Sequence, residues 1–216
     1  MKRLFLFLLI IPFFQLSYAQ EENDTLYEED NLLFQGNAKI SGFGGPLINF
    51  TKINGDFSFM MGGGGGILFN DNLFFGGYGM GNSNKLEIDS SVYAGNYLGF
   101  ANGGLWAGYV FMNKKKVHPC ITLMLGWGNV TIANELGYIQ KLDNIYVITP
   151  GLDIEYSIAS FLKITAGVYY RKVSGISEID FTDDNFSDLS VQITFKFGYF
   201  NAPNEDEVPA EEPTGN

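Results

Sequence analysis

Few side chains in this sequence could do chemistry, and the rarest types do not cluster. His118 is the only histidine and Cys120 the only cysteine, and His118 follows three lysines in a segment predicted to be a turn. A nucleophilic site needs a base beside the nucleophile, and a transition-metal centre needs several histidine or cysteine ligands. We therefore expect no metal, no cofactor and no enzyme activity.

The segment GISEIDFTDDNFSD is a second group with chemical potential, because it is rich in carboxylates. These are Glu178, Asp180, Asp183, Asp184 and Asp188. Their spacing lacks the D-x-[DN]-x-[DN]-G pattern of a calcium loop. Two interpretations remain, namely loose divalent-cation bridges to lipopolysaccharide phosphates and an ordinary exposed acidic loop, and we favour the second.

Five consecutive glycines, Gly62 to Gly66, lie in the segment MMGGGGGILF. A phosphate-binding loop would carry lysine and a hydroxyl residue after its last glycine, but here Ile-Leu-Phe follows. A flexible linker would carry serine or charge instead of these apolar flanks. We predict that the glycines lie inside a strand, where they permit bending and leave space for Met60, Trp106 and Met124.

The N-terminal segment has the pattern of an exported protein. Lys2 and Arg3 precede a short apolar run and the small-residue pattern Ser17-Tyr18-Ala19. This predicts a signal peptide at 1–19, cleaved after Ala19. Exported proteins often contain disulfides, but an intramolecular disulfide needs two cysteines and this chain has one.

Both ends of the remaining chain are acidic. Residues 20–32 are predicted to form an acidic periplasmic segment, and residues 201–216 an acidic, disordered C-terminal tail. The formal net charge of the whole chain is −11. Because the phosphate backbone repels such a chain, we expect no nucleic-acid partner.

Between the acidic ends, hydrophobicity alternates with a period of two, which is typical of strands. Eight strands are predicted, near 33–44, 56–69, 72–81, 97–111, 120–128, 145–158, 161–171 and 189–200. Short connections are expected to alternate with long ones near 45–55, 82–96, 130–144 and 174–188. Transmembrane barrels have this alternation of short turns and long outer loops.

Charge placement distinguishes a membrane barrel from a soluble one. Residues 57–69, 73–81, 97–111 and 119–129 contain no Asp, Glu, Lys or Arg on either face. In water such strands would expose an extended apolar surface, whereas in lipid only a closed barrel satisfies their backbone. The sequence therefore predicts an all-β, eight-stranded antiparallel up-and-down transmembrane β-barrel over residues 33–200.

Charged residues on the polar faces of the strands are predicted to point into the lumen. The set comprises Lys39, Asp153, Glu155, Lys163, Arg171 and Lys196. They belong to strands that become neighbours once the barrel closes, so we expect them to form a charge network. An eight-stranded barrel is just wide enough for side chains to fill it, and we expect a closed lumen.

The region 33–200 resembles small outer-membrane β-barrels of Gram-negative bacteria, especially OmpA-like and porin-like barrels of the Bacteroidetes type. The block SGFGGPLINFTKINGDF with its glycine run is similar to a block in uncharacterised proteins of that type. The last strand looks like the signal read by the barrel-assembly machinery, although here sixteen residues follow it. The residues that carry this likeness are Val191, Ile193, Phe195, Phe197, Tyr199 and Phe200.

The resemblance implies a location in the cell outer membrane and partners of three kinds. These are outer-membrane lipid with lipopolysaccharide, the barrel-assembly machinery and, as an alternative role, a larger outer-membrane complex. We expect a structural or surface role with a closed lumen. The alternatives are an accessory subunit of a secretion, assembly or uptake complex and, with less support, a narrow pore.

Overall fold

A computed structural model describes residues 39–88 and 93–200. The predicted signal peptide, the acidic N-terminal segment and the acidic C-terminal tail lie outside the described residues, as do residues 33–38 of the first predicted strand. In the described ranges, no helix is both long and apolar enough to cross a membrane.

Within the described residues, nine antiparallel strands form one sheet, and eight of them close into a barrel. Each barrel strand pairs with its neighbour along the chain, and β1 also pairs with β9. The ninth, the two-residue strand β4, extends the sheet beside β5, while β3 pairs directly with β5. The strands are β1 (Ile40–Ile53), β2 (Asp56–Phe69), β3 (Leu73–Asn82), β4 (Leu86–Glu87), β5 (Asn96–Val110), β6 (Val117–Asn134), β7 (Ile139–Ala159), β8 (Leu162–Ser174) and β9 (Asp188–Gly198).

The barrel has two rims, named here by what they carry. The terminal rim carries the start of β1, the end of β9 and the connections 70–72, 111–116 and 160–161. The loop rim carries the other four connections, of which 83–95 and 175–187 are long. A 3-10 turn at Asp183–Asn185 lies in the second of these loops.

Two of the four predicted long connections are wrong. Residues 45–53 continue β1, and a tight turn at Asn54 and Gly55 follows, with positive φ angles of 53° and 86°. Asn-Gly is the preferred pair for a two-residue type I′ hairpin, because both positions need positive φ. Most of 130–144 likewise belongs to β6 and β7, which are joined by 135–138. The prediction failed because these extensions are more polar than the centres of the strands.

Alternation along each strand separates an outward face from the lumen. The aromatic residues of the outward face fall near both rims, as in the interfacial belts of membrane barrels. Tyr109, Phe111, Tyr156 and Tyr199 lie toward the terminal rim, and Trp127, Tyr146 and Tyr170 toward the loop rim, all exposed.

Two apolar clusters fill the ends of the lumen. The loop-rim cluster contains Ile53, Met60, Leu86, Ile88, Tyr93, Leu98, Phe100, Val130, Ile132, Ile145, Val147, Val173, Ile179 and Phe186. The terminal-rim cluster contains Phe43, Leu47, Leu68, Phe74, Tyr78, Trp106, Val110, Cys120, Met124, Tyr169 and Phe200. Because Ile179 and Phe186 belong to the loop 175–187, that loop folds inward and contributes side chains to the core.

Candidate functional site

The candidate site is a buried group of ionic side chains centred on Glu155, called here the Glu155 cluster (His118, Glu155, Lys163, Thr165 and Lys196). Glu155 Oε1 lies 2.8 Å from Lys163 Nζ and 2.9 Å from His118 Nε2. Glu155 Oε2 lies 2.6 Å from Lys196 Nζ and accepts a hydrogen bond from Thr165 Oγ1 at 3.3 Å. The carboxylate thus has four partners, which uses its acceptor capacity.

These contacts join four consecutive strands. His118 comes from β6, Glu155 from β7, Lys163 from β8 and Lys196 from β9. The antiparallel register places His118 opposite Glu155 and Lys163 opposite Lys196, so the two cross-strand pairs meet at one point. Removing charges from water is costly unless each one is paired and hydrogen-bonded, and this geometry meets that condition.

Aromatic rings surround the Lys196 ammonium on its other side. Its Nζ lies 5.2 Å from the Phe43 ring centre, 4.9 Å from that of Phe74 and 5.8 Å from that of Trp106. A cation within about 6 Å of a ring face gains electrostatic stabilisation from the ring quadrupole. Lys163 has a similar contact with Phe200, at 4.7 Å. The lysines are therefore held by one carboxylate and by rings of the terminal-rim cluster.

Asp153 lies one inward position from Glu155 on β7 and has separate partners. Its Oδ1 accepts a hydrogen bond from the Tyr169 hydroxyl at 2.6 Å, and its Oδ2 accepts one from Thr122 at 3.2 Å. Asp153 is thus joined to β6 and β8 by neutral donors, and Lys196 is close enough to interact with it electrostatically. The two carboxylates form adjoining layers of one polar stack.

Arg171 is also buried but lies nearer the loop rim. Its guanidinium donates to the carbonyl oxygens of Phe186, at 2.7 Å, and Lys52, at 2.9 Å. It also contacts Met60 Sδ at 3.3 Å and lies 4.8 Å from the centre of the Phe100 ring. Arg171 therefore binds backbone and apolar groups, rather than joining the Glu155 cluster.

Lys39 is placed apart from the other five predicted lumen charges. Its Nζ lies 3.3 Å from Asp71 Oδ2 at the terminal rim, and its side chain is about one third exposed. The alternation of inward and outward side chains, which predicted a lumen position, holds only within β1. Because β1 begins at Ile40, Lys39 lies just before the strand.

Sequence reasoning missed His118, which was predicted to lie in a turn. His118 belongs to β6 and is fully buried, with Nδ1 2.9 Å from the Lys115 carbonyl oxygen. The signal was present in the alternation, since His118, Cys120, Thr122 and Met124 occupy successive inward positions. The lysines before His118 concealed it, because they suggested that the solvent-exposed turn continued.

The residues of the predicted assembly signal lie on the outward face of β9 and in the segment that follows it. Val191, Phe197 and Tyr199 are exposed on the outward face, where Ile193 and Phe195 are half-buried. Phe200 is buried and contacts Lys163 from inside the barrel. The final aromatic residue of the described chain therefore covers the lumen at the terminal rim.

Asp143 holds the inward-folded loop 175–187 at the opposite rim. Its carboxylate accepts hydrogen bonds from the backbone N–H groups of Ser177, Glu178 and Ile179 at 3.0 to 3.2 Å, and from the Ser177 hydroxyl at 3.2 Å. Charge-assisted bonds of this kind are stronger than neutral ones. One buried carboxylate thus fixes the segment that brings Ile179 into the core.

The comparisons with known proteins bear on the fold. No protein-family model and no curated protein matches the sequence. Neisserial surface protein A is similar in structure, with a TM-score of 0.55 and 12% identity, over 77% of this chain and 100% of that one. The N-terminal β-barrel domain of Pseudomonas aeruginosa OprF is similar with a TM-score of 0.52 and 12% identity, over 76% of this chain and 100% of that one.

These structural neighbours are small outer-membrane barrels of eight strands. At such identities the likeness concerns the fold alone. Three observations agree on a closed membrane barrel. β1 pairs with β9, the outward face is apolar, and the likeness to a solved barrel covers the whole of that barrel. The chain is an all-β, eight-stranded antiparallel up-and-down transmembrane β-barrel.

Proposed function

We propose that the protein is an integral outer-membrane barrel with a structural or surface role and a closed, side-chain-filled lumen. The observation that carries this proposal is the succession of filled layers along the lumen. The loop-rim cluster fills one end, and the terminal-rim cluster with the Glu155 cluster fills the other. Signal-peptide export and the barrel-assembly machinery would deliver such a protein to the outer membrane.

The polar layer between the two clusters supports a closed lumen. A cavity there is lined by Asn49, Asn102, Thr149, Arg171 and Gln192 among others, and its volume is about 10 Å³. That is room for about one water molecule. A conducting pore would need a continuous aqueous path through this layer.

The hydrogen bonds and ion pairs of the Glu155 carboxylate favour a structural role over a catalytic one. A general base must have a lone pair within reach of a substrate proton. Glu155 is buried and already has four partners within the barrel wall and lumen. Its geometry suits the joining of four strands.

Planar-bilayer recording of the refolded protein tests the closed lumen. We expect no stable conductance at low voltage. Heat-dependent mobility in SDS gels serves as the control that the barrel has folded, because a closed hydrogen-bonded barrel resists the detergent until it is boiled. Reproducible ohmic conductance that increases in Arg171→Ala would overturn the proposal and identify a gated pore.

A second candidate role, as an accessory subunit of a larger outer-membrane complex, is favoured by the glycines of the outward face. The register aligns Gly63, Gly79 and Gly103 across β2, β3 and β5, with Gly65 and Gly77 in the adjoining row. This patch has no side chains, so another transmembrane segment could approach its backbone closely.

The two roles predict different results when the protein is extracted from the membrane and purified. The accessory role predicts a stoichiometric partner after mild detergent extraction, and loss of that partner in Gly79→Phe. A Cβ at Gly79 would meet no atom within 4 Å, so the new side chain starts in open space, and heat-dependent mobility in SDS gels verifies that the variant has folded. Extraction of the wild type alone, as a single species, supports the first role.

A further inference from the structure

A groove on the outward face marks the seam where the first and last strands meet. Its apolar lining comes from four strands and comprises Phe50, Phe57, Val168, Leu189 and Val191. Lys52 and Asp188 lie at its edge toward the loop rim. It is a shallow, open groove of about 440 Å³ on the barrel wall.

The groove exists because the two strands separate before they end. Pairing between β1 and β9 stops at Thr51 and Ser190, although β1 runs on to Ile53. Beyond that point Arg171 donates to the Lys52 carbonyl oxygen at 2.9 Å, and Thr51 Oγ1 donates to the Leu189 carbonyl oxygen at 3.0 Å. Side chains thus satisfy two carbonyl oxygens that hydrogen bonds between β1 and β9 would otherwise satisfy. The separation of the two strands therefore leaves neither oxygen unpaired.

The charges at the groove favour an anionic occupant. Lys52 is exposed, and within residues 39–88 and 93–200 no carboxylate lies within 4.0 Å of its ammonium. The neighbouring Lys172 is engaged by Asp184 at 2.9 Å. Asp188 faces Arg171 in the β8–β9 register and interacts with it electrostatically, which offsets its negative charge. Lys52 is therefore the available cation at the edge of an apolar groove.

Building on the outer-membrane location proposed above, with the long loops of the loop rim outside as in transmembrane barrels generally, we propose that the seam groove binds one acyl chain of a phosphorylated glycolipid of the outer leaflet, with a phosphate at Lys52. The groove supplies apolar contacts along the chain, and Lys52 lies at the rim, where the headgroup of a lipid aligned with the strands would be. A lysine near an anionic lipid surface contributes enough to change affinity about fivefold.

Native mass spectrometry of the full-length protein in detergent, titrated with a diphosphorylated glycolipid, tests the proposal. We expect one glycolipid to be retained, with affinity reduced about fivefold in Lys52→Ala. Lys85→Ala is the matched control, since Lys85 is an exposed lysine in the loop 83–95 of the same rim and lies over Tyr97. It should bind like the wild type, and heat-dependent mobility in SDS gels verifies that each variant has folded.

Two further measurements identify which lipid supplies the phosphate and where its acyl chain lies. The dephosphorylated glycolipid and an anionic phospholipid, phosphatidylglycerol, should both bind more weakly than the diphosphorylated form. In Phe57→Trp made on a Trp127→Phe background, which removes the exposed outward tryptophan, brominated acyl chains should quench the fluorescence at position 57, and Lys52→Ala should reduce that quenching. Equal binding of phosphatidylglycerol, equal losses in both lysine variants, or a second copy of the protein at the groove would each overturn the proposal.

Discussion

The barrel has two unlike halves, and they fill the lumen by different means. The glycine half, comprising β1, β2, β3 and β5, carries inward glycines such as Gly62, Gly64 and Gly76 beside large aromatic rings. The polar half, comprising β6 to β9, carries the Glu155 cluster, Asp153 and Arg171. Rings from the first half surround Lys196 of the second, so neither half fills the lumen without the other.

The inward glycines of the glycine half leave room in the lumen for large side chains. A Cβ on Gly64 would lie 3.2 Å from Trp106 Cε3 and 3.1 Å from Leu47 Cδ1, inside ordinary van der Waals contact. The Trp106 ring is buried where that side chain would be. The lumen of an eight-stranded barrel is narrow, and the Trp106 ring fits beside Gly64 because that position has no side chain.

The largest effect is expected from the polar half, at Glu155. Glu155→Ala would leave Lys163 and Lys196 buried without their carboxylate, and breaking a buried pair costs about 3–5 kcal/mol. We expect a matching loss of unfolding free energy in urea and loss of the SDS-resistant folded band. The double variant Glu155→Leu with Lys196→Met should recover part of that stability. A single variant as stable as the wild type would show that the lysines do not depend on this carboxylate.

A smaller effect is expected at Asp143, which acts on one loop rather than on the whole barrel. Asp143→Ala would leave the N–H groups of Ser177, Glu178 and Ile179 without their acceptor. Hydrogen bonds to charged groups contribute about 1.5–3 kcal/mol each, so the loop should open locally. Limited proteolysis should then cleave within 175–187 at least tenfold faster. Glu178→Ala, which removes an exposed carboxylate from the same loop but keeps the backbone N–H that bonds Asp143, is the control.

The smallest effects distinguish inward from outward glycines on one strand. A Cβ on Gly76 would collide with the Gly65 backbone, whereas one on Gly79 would meet nothing within 4 Å. Overpacking costs about 1–3 kcal/mol, so Gly76→Ala should reduce the free energy of unfolding by that amount and Gly79→Ala by less than about 0.5 kcal/mol. Equal losses at both positions would contradict a steric role for the inward glycines.

Sequence reasoning is most informative where one rule acts along the whole strand. Alternation placed Asp153, Glu155, Lys163 and Lys196 on the inward face, because a strand has only two faces. It could not give the contacts of Arg171, which depend on the loop residue Phe186 folding into the lumen.

Strand ends were the least predictable feature. The Asn54–Gly55 turn was a readable signal that was overlooked, since Asn-Gly between apolar runs favours a hairpin. The position of Lys39 differs for a related reason. A first strand that begins at Ile40 leaves Lys39 at the rim, where it reaches Asp71.

The seam between β1 and β9 also has a kinetic consequence. It contains seven paired positions, against fourteen between β1 and β2, and Pro46, which has no N–H to donate, lies in its interruption. Its contacts join residues as far as 155 positions apart, namely Phe43 and Gly198. Such closure loses much chain entropy before it gains contacts, whereas each hairpin forms locally. We therefore expect the hairpins to form first and ring closure at this short ladder to limit the folding rate.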